Sequence, residues 1–184
     1  MTDEVDDASL VERAREGDAA AFGVLVARYA AIATRVAQVV APGVDPEDTV
    51  QEGFVKAWRS LATFRAGAPF RPWLCRIVSN EAKNRIRSAQ RRDALALREA
   101  SAGVRDAPPS PETLAVNRDE AEALVRAMNG LRTDDRLIIA YRWLLELSEA
   151  EIAEALDVPA GTVKSRLSRS MTRLRTRLLE GEQR

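Results

Sequence analysis

The sequence predicts an all-α fold of two small helical domains joined by a flexible linker, with a helix-turn-helix in the C-terminal domain. The composition favours helices, because Ala, Leu, Arg and Glu are abundant among 46% hydrophobic and 30% charged residues. Apolar residues recur at helical spacing behind capping residues, whereas strand patterns are nearly absent. Between residues 93 and 112 the apolar pattern fades and prolines accumulate, which indicates a linker.

The chain length of 184 residues suits two small domains. We expect an acidic disordered tail over residues 1–8, an N-terminal domain over 9–92, the linker over 93–112, and a C-terminal domain over 113–184. Fully extended, such a linker spans at most ~66–70 Å. The two domains can therefore contact DNA sites about two helical turns apart.

Three helix starts are predicted in the N-terminal domain. Asp18 is placed to cap the first helix, and Asp45 is placed to cap the second, with Pro46 as its first helical residue. Pro72 begins a third helix that continues to about Ser88.

The C-terminal domain shows its own helix signals. Ser148 and Glu151 form a predicted capping box, and residues 157–159 break the chain before a last helix that begins at Ala160 or Gly161. We further expect Thr133 to cap the helix that precedes this box. The residues of this domain predicted to face the core ahead of the capping box are Leu124, Val125, Met128, Leu131, Leu137, Ile138, Tyr141, Leu144 and Leu145.

The absence of histidine and the single cysteine exclude many enzyme classes. Without histidine, neither a catalytic triad nor a His-ligated metal site is available. One cysteine permits neither an intrachain disulfide nor a Cys-rich zinc site. We expect no enzyme activity, cofactor or metal, and we interpret Cys75 as an inert buried thiol in preference to a redox sensor.

Membrane and export signals are also missing from the sequence. The N-terminus is acidic, which is unlike a signal peptide. No apolar run approaches the ~18 residues of a membrane span. We therefore expect a cytoplasmic protein without membrane insertion.

The formal net charge is zero, but the charges are segregated. Basic residues dominate 83–92 and 159–184, whereas acids gather at 3–7, 45–52 and 134–157. A protein with both a nucleic-acid face and a protein face should show such blocks, although ordinary solvated helix faces also produce them.

The C-terminal pattern of a short helix, a tight turn and a basic helix predicts a helix-turn-helix that binds DNA. The predicted packed face of the last helix consists of Val163, Leu167, Met171, Leu174 and Leu178. The residues expected to contact DNA are Thr162, Lys164, Ser165, Arg166, Ser168, Arg169 and Arg173. A solvated surface helix is the alternative, but such a helix usually intersperses Glu with Arg, and no acid occurs between Asp157 and Glu180.

The helix that begins at Pro72 carries a second candidate DNA face, preceded by an aromatic loop over 64–70. Asn with Lys and Arg suits base edges and phosphates, and aromatic rings beside basic residues suit an unpaired base. For the aromatic rings a role in the core is an equal alternative. The candidate residues are Phe64, Arg65, Gly67, Phe70, Trp73, Arg76, Asn80, Lys83, Asn84 and Arg87.

An acidic and partly apolar stripe on the second helix does not suit DNA, because its carboxylates would repel phosphate. A protein partner is the favoured interpretation, with a solvated face as the alternative. The stripe consists of Asp48, Gln51, Glu52, Val55 and Lys56.

Together these motifs resemble the extracytoplasmic-function sigma factors. The segment DPEDTVQEGFVKAW at 45–58 resembles region 2.2 of these sigma factors. The segments FRPWLCRIVSN at 70–80 and AKN at 82–84 resemble regions 2.3 and 2.4. In the C-terminal domain, LSEAEIAEAL at 147–156 with GTVKSRLSR at 161–169 is similar to region 4.2. The motifs are specific when taken together, because they occur in the family's order around a variable linker.

The resemblance covers roughly 9–92 and 113–180 and implies a non-catalytic transcription initiation subunit. It implies that the acidic stripe docks on the clamp helices of the large subunit of core RNA polymerase. The loop and the helix face after it would bind the promoter −10 element and take a flipped base into a pocket. The last helix would bind the −35 element, with Arg142 near the phosphates, and an anti-sigma factor would hold the protein inactive.

The sequence departs from the family pattern at Arg132, Glu146 and Asn84, where members commonly have Pro, Gly and Asp. The first two departures affect a helix start and a turn, and the third bears on −10 preference. The main alternative function is a stand-alone helix-turn-helix regulator, which would bind a palindromic operator tightly without polymerase.

Overall fold

The computed structural model describes residues 6–99 and 118–182, and side chains over 6–91 and 121–181; this part of the chain is helical without strands. The predicted all-α class is therefore confirmed. The helices are α1 (Asp7–Arg15), α2 (Ala19–Val40), α3 (Glu47–Ser60), α4 (Phe70–Glu99), α5 (Arg118–Asn129), α6 (Thr133–Trp143), α7 (Glu149–Leu156) and α8 (Ala160–Glu182), with a 3-10 turn at Leu61–Thr63 after α3.

Helix α2 is central to the N-terminal domain and packs against α1, α3 and α4. Asp18 caps it as predicted, because its carboxylate accepts the backbone N–H groups of Ala20 at 2.9 Å and Ala21 at 3.0 Å. The same carboxylate pairs with Arg13 of α1 at 2.7 Å. The Ala21 amide and the Arg13 side chain together hold the pKa of Asp18 below its ordinary value.

By length and composition, α2 is apolar enough to span a membrane, since its most apolar window has a mean hydropathy of 1.4. The prediction that no segment approaches such a span was wrong for this helix. In the structure, however, Leu25, Val36 and Val40 bury one face of α2 in the domain. Arg28, on another face, pairs with Asp7 of α1. The helix therefore packs as an amphipathic core helix.

Helix α3 begins at Glu47, one residue later than predicted. Pro46 precedes the first helical residue instead of being that residue. Asp45 still acts as a local cap, since its carboxylate accepts the Glu47 N–H at 2.9 Å.

Two helices extend beyond the expected bounds: α4 continues through residues 93–99, which the sequence allowed as a separate short helix, and α1 begins within the predicted tail. Helix α4 runs from Phe70 to Glu99, well beyond the predicted end near Ser88, because residues 89–99 are good helix formers without Gly or Pro. Its last turns fall within the predicted linker, and the remainder of the linker, 100–112, lies outside the described residues. Helix α1 begins at Asp7, inside the predicted acidic tail.

The predicted capping box opens α7. Ser148 Oγ accepts the Glu151 N–H at 3.2 Å, and the Glu151 carboxylate accepts the Ser148 N–H at 2.9 Å. Asp157 ends the helix in the left-handed conformation, and α8 begins at Ala160 as predicted. The cap predicted at Thr133 was wrong, because Thr133 is the first residue of α6 and no side chain caps that helix.

Several residues predicted to face the C-terminal core are exposed. Leu131, Leu137, Ile138, Tyr141 and Leu145 are buried as predicted. The prediction was wrong for Leu124, Val125 and Leu144, because these residues are 45%, 57% and 48% exposed. For Leu124 and Val125 the reason is that α5 packs mainly on α8, so no other helix in the described part of the chain covers the remaining apolar side of α5.

The two domains pack against each other, with α4 contacting α7 and α2 contacting α6. Arg136 of α6 donates to the carbonyl of Val40 at the end of α2, at 2.9 Å. The Tyr141 hydroxyl donates to the carbonyl of Cys75 in α4 at 3.2 Å. Arg71 of α4 donates to a main-chain carbonyl of the C-terminal domain. These long-range bonds define how the domains are arranged.

Helices α3 and α4 approach closely at Gly53. A Cβ atom at this position would lie 2.9 Å from Cγ2 of the fully buried Val78, so only glycine fits without a shift. By contrast, Gly23 lies on an exposed part of α2 and has no atom within 4 Å of a built Cβ.

We predict that Gly53→Ala lowers the free energy of unfolding by about 1–3 kcal/mol, the usual effect of overpacking a core. The control Gly23→Ala should raise it by about 0.5–1 kcal/mol through helix propensity. Urea denaturation followed by circular dichroism measures both. Equal stabilisation by the two substitutions would contradict the close approach, whereas adding Val78→Ala should partly restore the stability of Gly53→Ala.

Candidate nucleic-acid and polymerase interfaces

Helices α7 and α8 form a helix-turn-helix joined by the three-residue turn 157–159. The left-handed Asp157 (φ 55°) ends α7, and the Val158 N–H bonds back to the Ala153 carbonyl at 3.0 Å. The predicted packed face of α8 is confirmed for Val163, Leu167 and Leu174, which are buried, with Met171 and Leu178 packed beside them. The opposite side of α8 therefore faces outward.

The buried Ser170 and its partner were not predicted. The Asp135 carboxylate of α6 accepts the Ser170 hydroxyl at 2.7 Å and pairs with Arg173 at 2.6 Å. Asp135 therefore fixes α8 against α6 and orients Arg173. The sequence gave no local signal for this contact, because the partners are 35 or more positions apart.

The outward side of α8 presents most of its predicted DNA-contacting residues to solvent. Lys164 and Arg166 are exposed and make no ion pair with any residue in the described part of the chain. Arg169 is exposed, and its Nε donates to the Ser165 carbonyl at 3.1 Å. Uncompensated cations beside a helix N-terminus favour phosphate.

The smaller polar residues of this predicted set differ from one another in solvent exposure. Ser165 and Ser168 are exposed, whereas Thr162 is half-buried. Arg142 of α6 is exposed and donates to the Leu147 carbonyl at 3.3 Å, so its guanidinium lies over the loop before α7.

The predicted DNA face of α4 is only partly open. Asn80, Asn84 and Arg87 are exposed. Arg76 and Lys83 instead form ion pairs with acids of the C-terminal domain, namely Asp157 at 3.3 Å and Asp134 at 2.7 Å.

The loop before α4 is shaped by Gly67, which has φ of 74° and is exposed. The Ala68 N–H bonds to the Arg65 carbonyl at 3.1 Å and closes a turn. The Arg65 side chain is exposed and lies 3.6 Å from Glu154 of α7. The loop therefore also faces the C-terminal domain.

The aromatic rings of this segment belong to the core. Phe64 and Phe70 are buried, which favours the core alternative for these rings over exposed stacking on a base. Trp73 is half-buried, with ring centroids 4.8 Å from Phe64 and 5.5 Å from Phe70. Mutual packing of large apolar rings explains the difference.

The predicted stripe on α3 lies at the surface. Asp48 and Gln51 are exposed, and Glu52 and Val55 are half-exposed. Lys56 pairs with Glu81, an acid of α4 that is 7% exposed, so Lys56 also joins the two helices.

An open groove of about 970 Å³ runs beside this stripe between α2 and α3. Its apolar lining includes Val26, Val50, Phe54, Val55 and Trp58. Apart from Val55, these residues were not predicted as part of the surface. Val26 lies on α2, whereas Val50, Phe54 and Trp58 alternate with acids along α3, and this alternation is the signal that indicates a half-exposed apolar face.

Cys75 is 1% exposed on α4. Burial raises the pKa of its thiol to about 12, so the thiol stays protonated at neutral pH. This agrees with an inert core cysteine.

Comparison with known proteins identifies the family. Family models of Sigma-70 region 2 and Sigma-70 region 4 match residues 25–92 and 121–174. The ECF RNA polymerase sigma-E factor of Escherichia coli (strain K12) is 38% identical over 178 residues, covering 92% of this chain and 93% of that protein. The chain belongs to the ECF sigma factors. The sigma-E factor of Haemophilus influenzae is 36% identical to this ECF sigma factor, over 92% of the chain and 94% of the relative.

Solved structures agree with this assignment. CnrH in complex with the cytosolic domain of CnrY is 29% identical, with a TM-score of 0.64 over 95% of this chain and 97% of that one. The sigma factor RpoE in complex with the anti-sigma factor NepR, from Bartonella quintana, is 26% identical, with a TM-score of 0.63 over 86% and 96% of the two chains.

The predicted function is thereby confirmed: this ECF sigma factor binds core RNA polymerase and directs promoter recognition and transcription initiation. A stand-alone regulator is not favoured. The order of region 2 before region 4 matches the predicted order of the motifs.

At two positions where the sequence departs from the family pattern, the backbone conformation suits the residue that family members commonly have there, glycine at 146 and proline at 132. Glu146 has φ of 52°, a left-handed conformation that glycine adopts more easily. Arg132 has φ of −59°, which is close to the value that proline fixes. The backbone at these two positions is therefore compatible with glycine and with proline, respectively.

Proposed function

We propose that this sigma factor uses three surfaces of different chemistry: α8 for the −35 element, α4 with its preceding loop for the −10 element, and α3 for core polymerase. The observation that carries the proposal is that exposed cations dominate the outward side of α8, whereas acids outnumber cations on α3. Within the described part of the chain, Lys164 and Arg166 on the outward side of α8 make no ion pair, whereas α3 presents Asp48 and Glu52 beside an apolar groove.

The α8 surface suits the major groove of duplex DNA. Its exposed Arg166 and Arg169 lie near the N-terminal end of a 23-residue helix whose other side is anchored in the domain. Arginine can form paired hydrogen bonds with guanine, and Ser165 can bond bases or phosphates. Arg142 is placed to contact the flanking phosphates.

The α4 surface suits DNA in which bases are accessible. Asn80 and Asn84 provide amides for base edges, and Arg87 provides a phosphate contact. A cavity of about 330 Å³ lies at the loop before α4, with Phe64, Gly67 and Phe70 among its lining residues. We infer that it accepts a flipped base, with the two buried rings as walls instead of exposed stacking platforms.

The groove between α2 and α3 suits a helical protein partner. Its apolar lining can bury a hydrophobic helix face, and the acids of α3 at its edge supply charge complementarity. We assign this surface to the clamp helices of the large polymerase subunit. By this proposal the chain acts in the cytoplasm as a non-catalytic subunit, and polymerase presents both DNA surfaces together, which raises their effective concentration.

We also propose an anti-sigma factor as a regulatory partner, supported by the RpoE relative solved with the anti-sigma factor NepR. A second groove of about 750 Å³ lies between the domains, with an apolar lining that includes Val44, Leu124, Val125, Trp143 and Leu144. Each of these five side chains is more than two-fifths exposed. Contiguous exposed apolar residues of this kind mark a protein-binding surface.

We predict that Glu52→Lys impairs binding to core polymerase and leaves DNA affinity of the isolated chain equal or higher, because it reverses the charge of the α3 stripe. Fluorescence titration with core enzyme and run-off transcription measure the two effects. The control Glu16→Lys makes the same charge change at an exposed position after α1. Polymerase affinity equal to that of the control would reject the docking assignment.

We predict that Arg169→Ala weakens promoter binding by the holoenzyme by about 1–3 kcal/mol and relaxes the −35 preference if the side chain contacts a base. Arg175→Ala is the control, since Arg175 is exposed on a different side of the same helix. The measurement is holoenzyme affinity for promoters varied at each −35 position. A uniform loss across sequences would make Arg169 a phosphate contact, and no loss would remove it from the interface.

We predict that Trp143→Arg raises transcription from dependent promoters in the native host by about tenfold, the effect of losing about 1.4 kcal/mol of anti-sigma binding. Run-off transcription with purified core enzyme should not change. Val24→Arg places the same residue at an exposed apolar position of α2 outside the groove and serves as control. Host transcription equal to that of the control would contradict the proposed site.

A further inference from the structure

One acid of α6 contacts two residues of α8 that differ in exposure. A single carboxylate oxygen of Asp135, Oδ1, accepts the Ser170 hydroxyl at 2.7 Å and the Arg173 guanidinium at 2.6 Å. Ser170 is 1% exposed, whereas 51% of the Arg173 side chain is exposed. The carboxylate therefore joins the packed side of α8 to its outward side.

The positions of the two partners along α8 explain why one acid can contact both. At about 100° per residue, Ser170 and Arg173 lie ~60° apart around the helix, and Arg173 falls on the side that carries Arg166 and Arg169. Along the helix axis, Arg173 lies about 6 Å beyond Arg169. Its guanidinium therefore extends the predicted row of DNA contacts by one turn.

Arg173 differs from the other cations on this side of α8. Lys164, Arg166 and Arg169 form no ion pair with any residue that the structure describes, whereas Arg173 pairs with Asp135. The Asp135 side chain is 13% exposed, so solvent screens this pair less than it screens a fully exposed one. Arg173 is therefore held in one place, while Lys164 and Arg166 can follow any nearby phosphate.

The Asp135 carboxylate occupies its position at an energetic cost. Its second oxygen, Oδ2, is buried and accepts no hydrogen bond from the described part of the chain. A buried acceptor without a partner opposes folding, and each such exception needs an explanation. The charge is favoured by Arg173 and by the first turn of α6, where backbone N–H groups carry partial positive charge. A role in orienting Arg173 explains why an acid is found here.

We propose that Asp135 is a positioning residue that determines specificity for the −35 element, because it fixes the direction from which Arg173 meets DNA. This role rests on the proposed assignment of α8 to the −35 element. A tethered arginine reaches a base edge or a phosphate in one geometry, whereas a free arginine pairs with phosphates of any sequence. Specificity is a difference of affinities, and Asp135 lowers the affinity for incorrect sites.

The test uses holoenzyme assembled from core polymerase and the full chain, with a promoter that the parent chain activates in run-off transcription. Affinity is measured for this promoter and for a duplex in which the −35 element is replaced, and the ratio of the two affinities is compared between variants. Asp135→Asn removes the charge and keeps the size of the side chain. The amide accepts Arg173 more weakly, so the ratio should fall about fivefold.

The two affinities should change in opposite directions. Asp135→Asn frees Arg173 for phosphates of any sequence, so binding to the duplex without the −35 element should strengthen about two- to threefold. The salt dependence of this binding should also become steeper, since the freed cation displaces a further counterion from the DNA. A domain that is merely destabilised would bind both duplexes more weakly, and that outcome would overturn the positioning role.

Asp134→Asn is the matched control, because it makes the same change in the same turn of α6, where the Asp134 carboxylate pairs with Lys83 instead of with α8. It should leave the ratio of affinities unchanged. Adding Asp135→Asn to Arg173→Ala should cause no further loss, since the acid acts through the arginine. A further loss as large as that in the parent chain would show that Asp135 does not act through Arg173.

Arg173→Lys gives a second test that leaves the bond between Asp135 and Ser170 in place. Lysine keeps the charge but lacks the planar guanidinium, so the ratio of affinities should again fall about fivefold. This variant decides the question if Asp135→Asn abolishes cooperative unfolding. An unchanged ratio for Arg173→Lys would then overturn the positioning role.

The result for Arg169→Ala separates the positioning role from the assignment on which it rests. A ratio that falls with Arg169→Ala but not with Asp135→Asn overturns the role of Asp135 and keeps α8 as the −35 surface. A ratio that Arg169→Ala, Arg173→Ala and Asp135→Asn all leave unchanged overturns the −35 assignment of α8 as well.

Discussion

The apolar side of α4 is the constraint on which the rest of the molecule depends. Leu74, Val78 and Ala82 follow at four-residue spacing and are at most 1% exposed against α2 and α3. At about 100° per residue, this seam places five polar residues about 140–240° around the helix from Val78, namely Arg76, Asn80, Lys83, Asn84 and Arg87. The orientation of the DNA-binding candidates therefore follows from core packing, and Gly53 sets how closely α3 can approach that seam.

The same helix joins the two domains, because the side of α4 away from the core contacts α7. This arrangement gives the zero net charge a structural meaning. Basic residues of α4 pair with acids of the C-terminal domain, as Lys83 does with Asp134. The segregated charge blocks of the sequence thus make the two domains mutually attractive.

The features predicted from the sequence are those fixed by neighbouring residues. The Asp18 cap, the capping box of Ser148 and Glu151, and the buried stripe of α8 depend on residues within a few positions of one another. The predicted helix ends were less accurate. The end of α4 was hard to place because residues 89–99 contain no Gly or Pro to stop the helix, and helix propensity alone is a weak signal for where a helix ends. Motif resemblance indicated the family because several such local patterns occurred in one order.

The remaining features depend on contacts between distant residues. Arg136 meets carbonyls 96 and 97 positions away, and Tyr141 meets one 66 positions away. No periodicity encodes such bonds, so both residues looked like ordinary members of α6. Phe64 and Phe70 illustrate the same limit, because an aromatic residue in a loop is equally suited to stacking on a base or packing in a core until its neighbours are known.

The interactions that join the domains differ in strength and in their sensitivity to salt. The ion pairs of Arg76 and Lys83 involve mostly exposed acids, and such pairs contribute at most about 1 kcal/mol each and weaken with salt. The bonds of Arg136 are buried and charge-assisted, so salt screens them little. The buried bonds of Arg136 therefore hold the two domains together more firmly than the exposed ion pairs of Arg76 and Lys83 do.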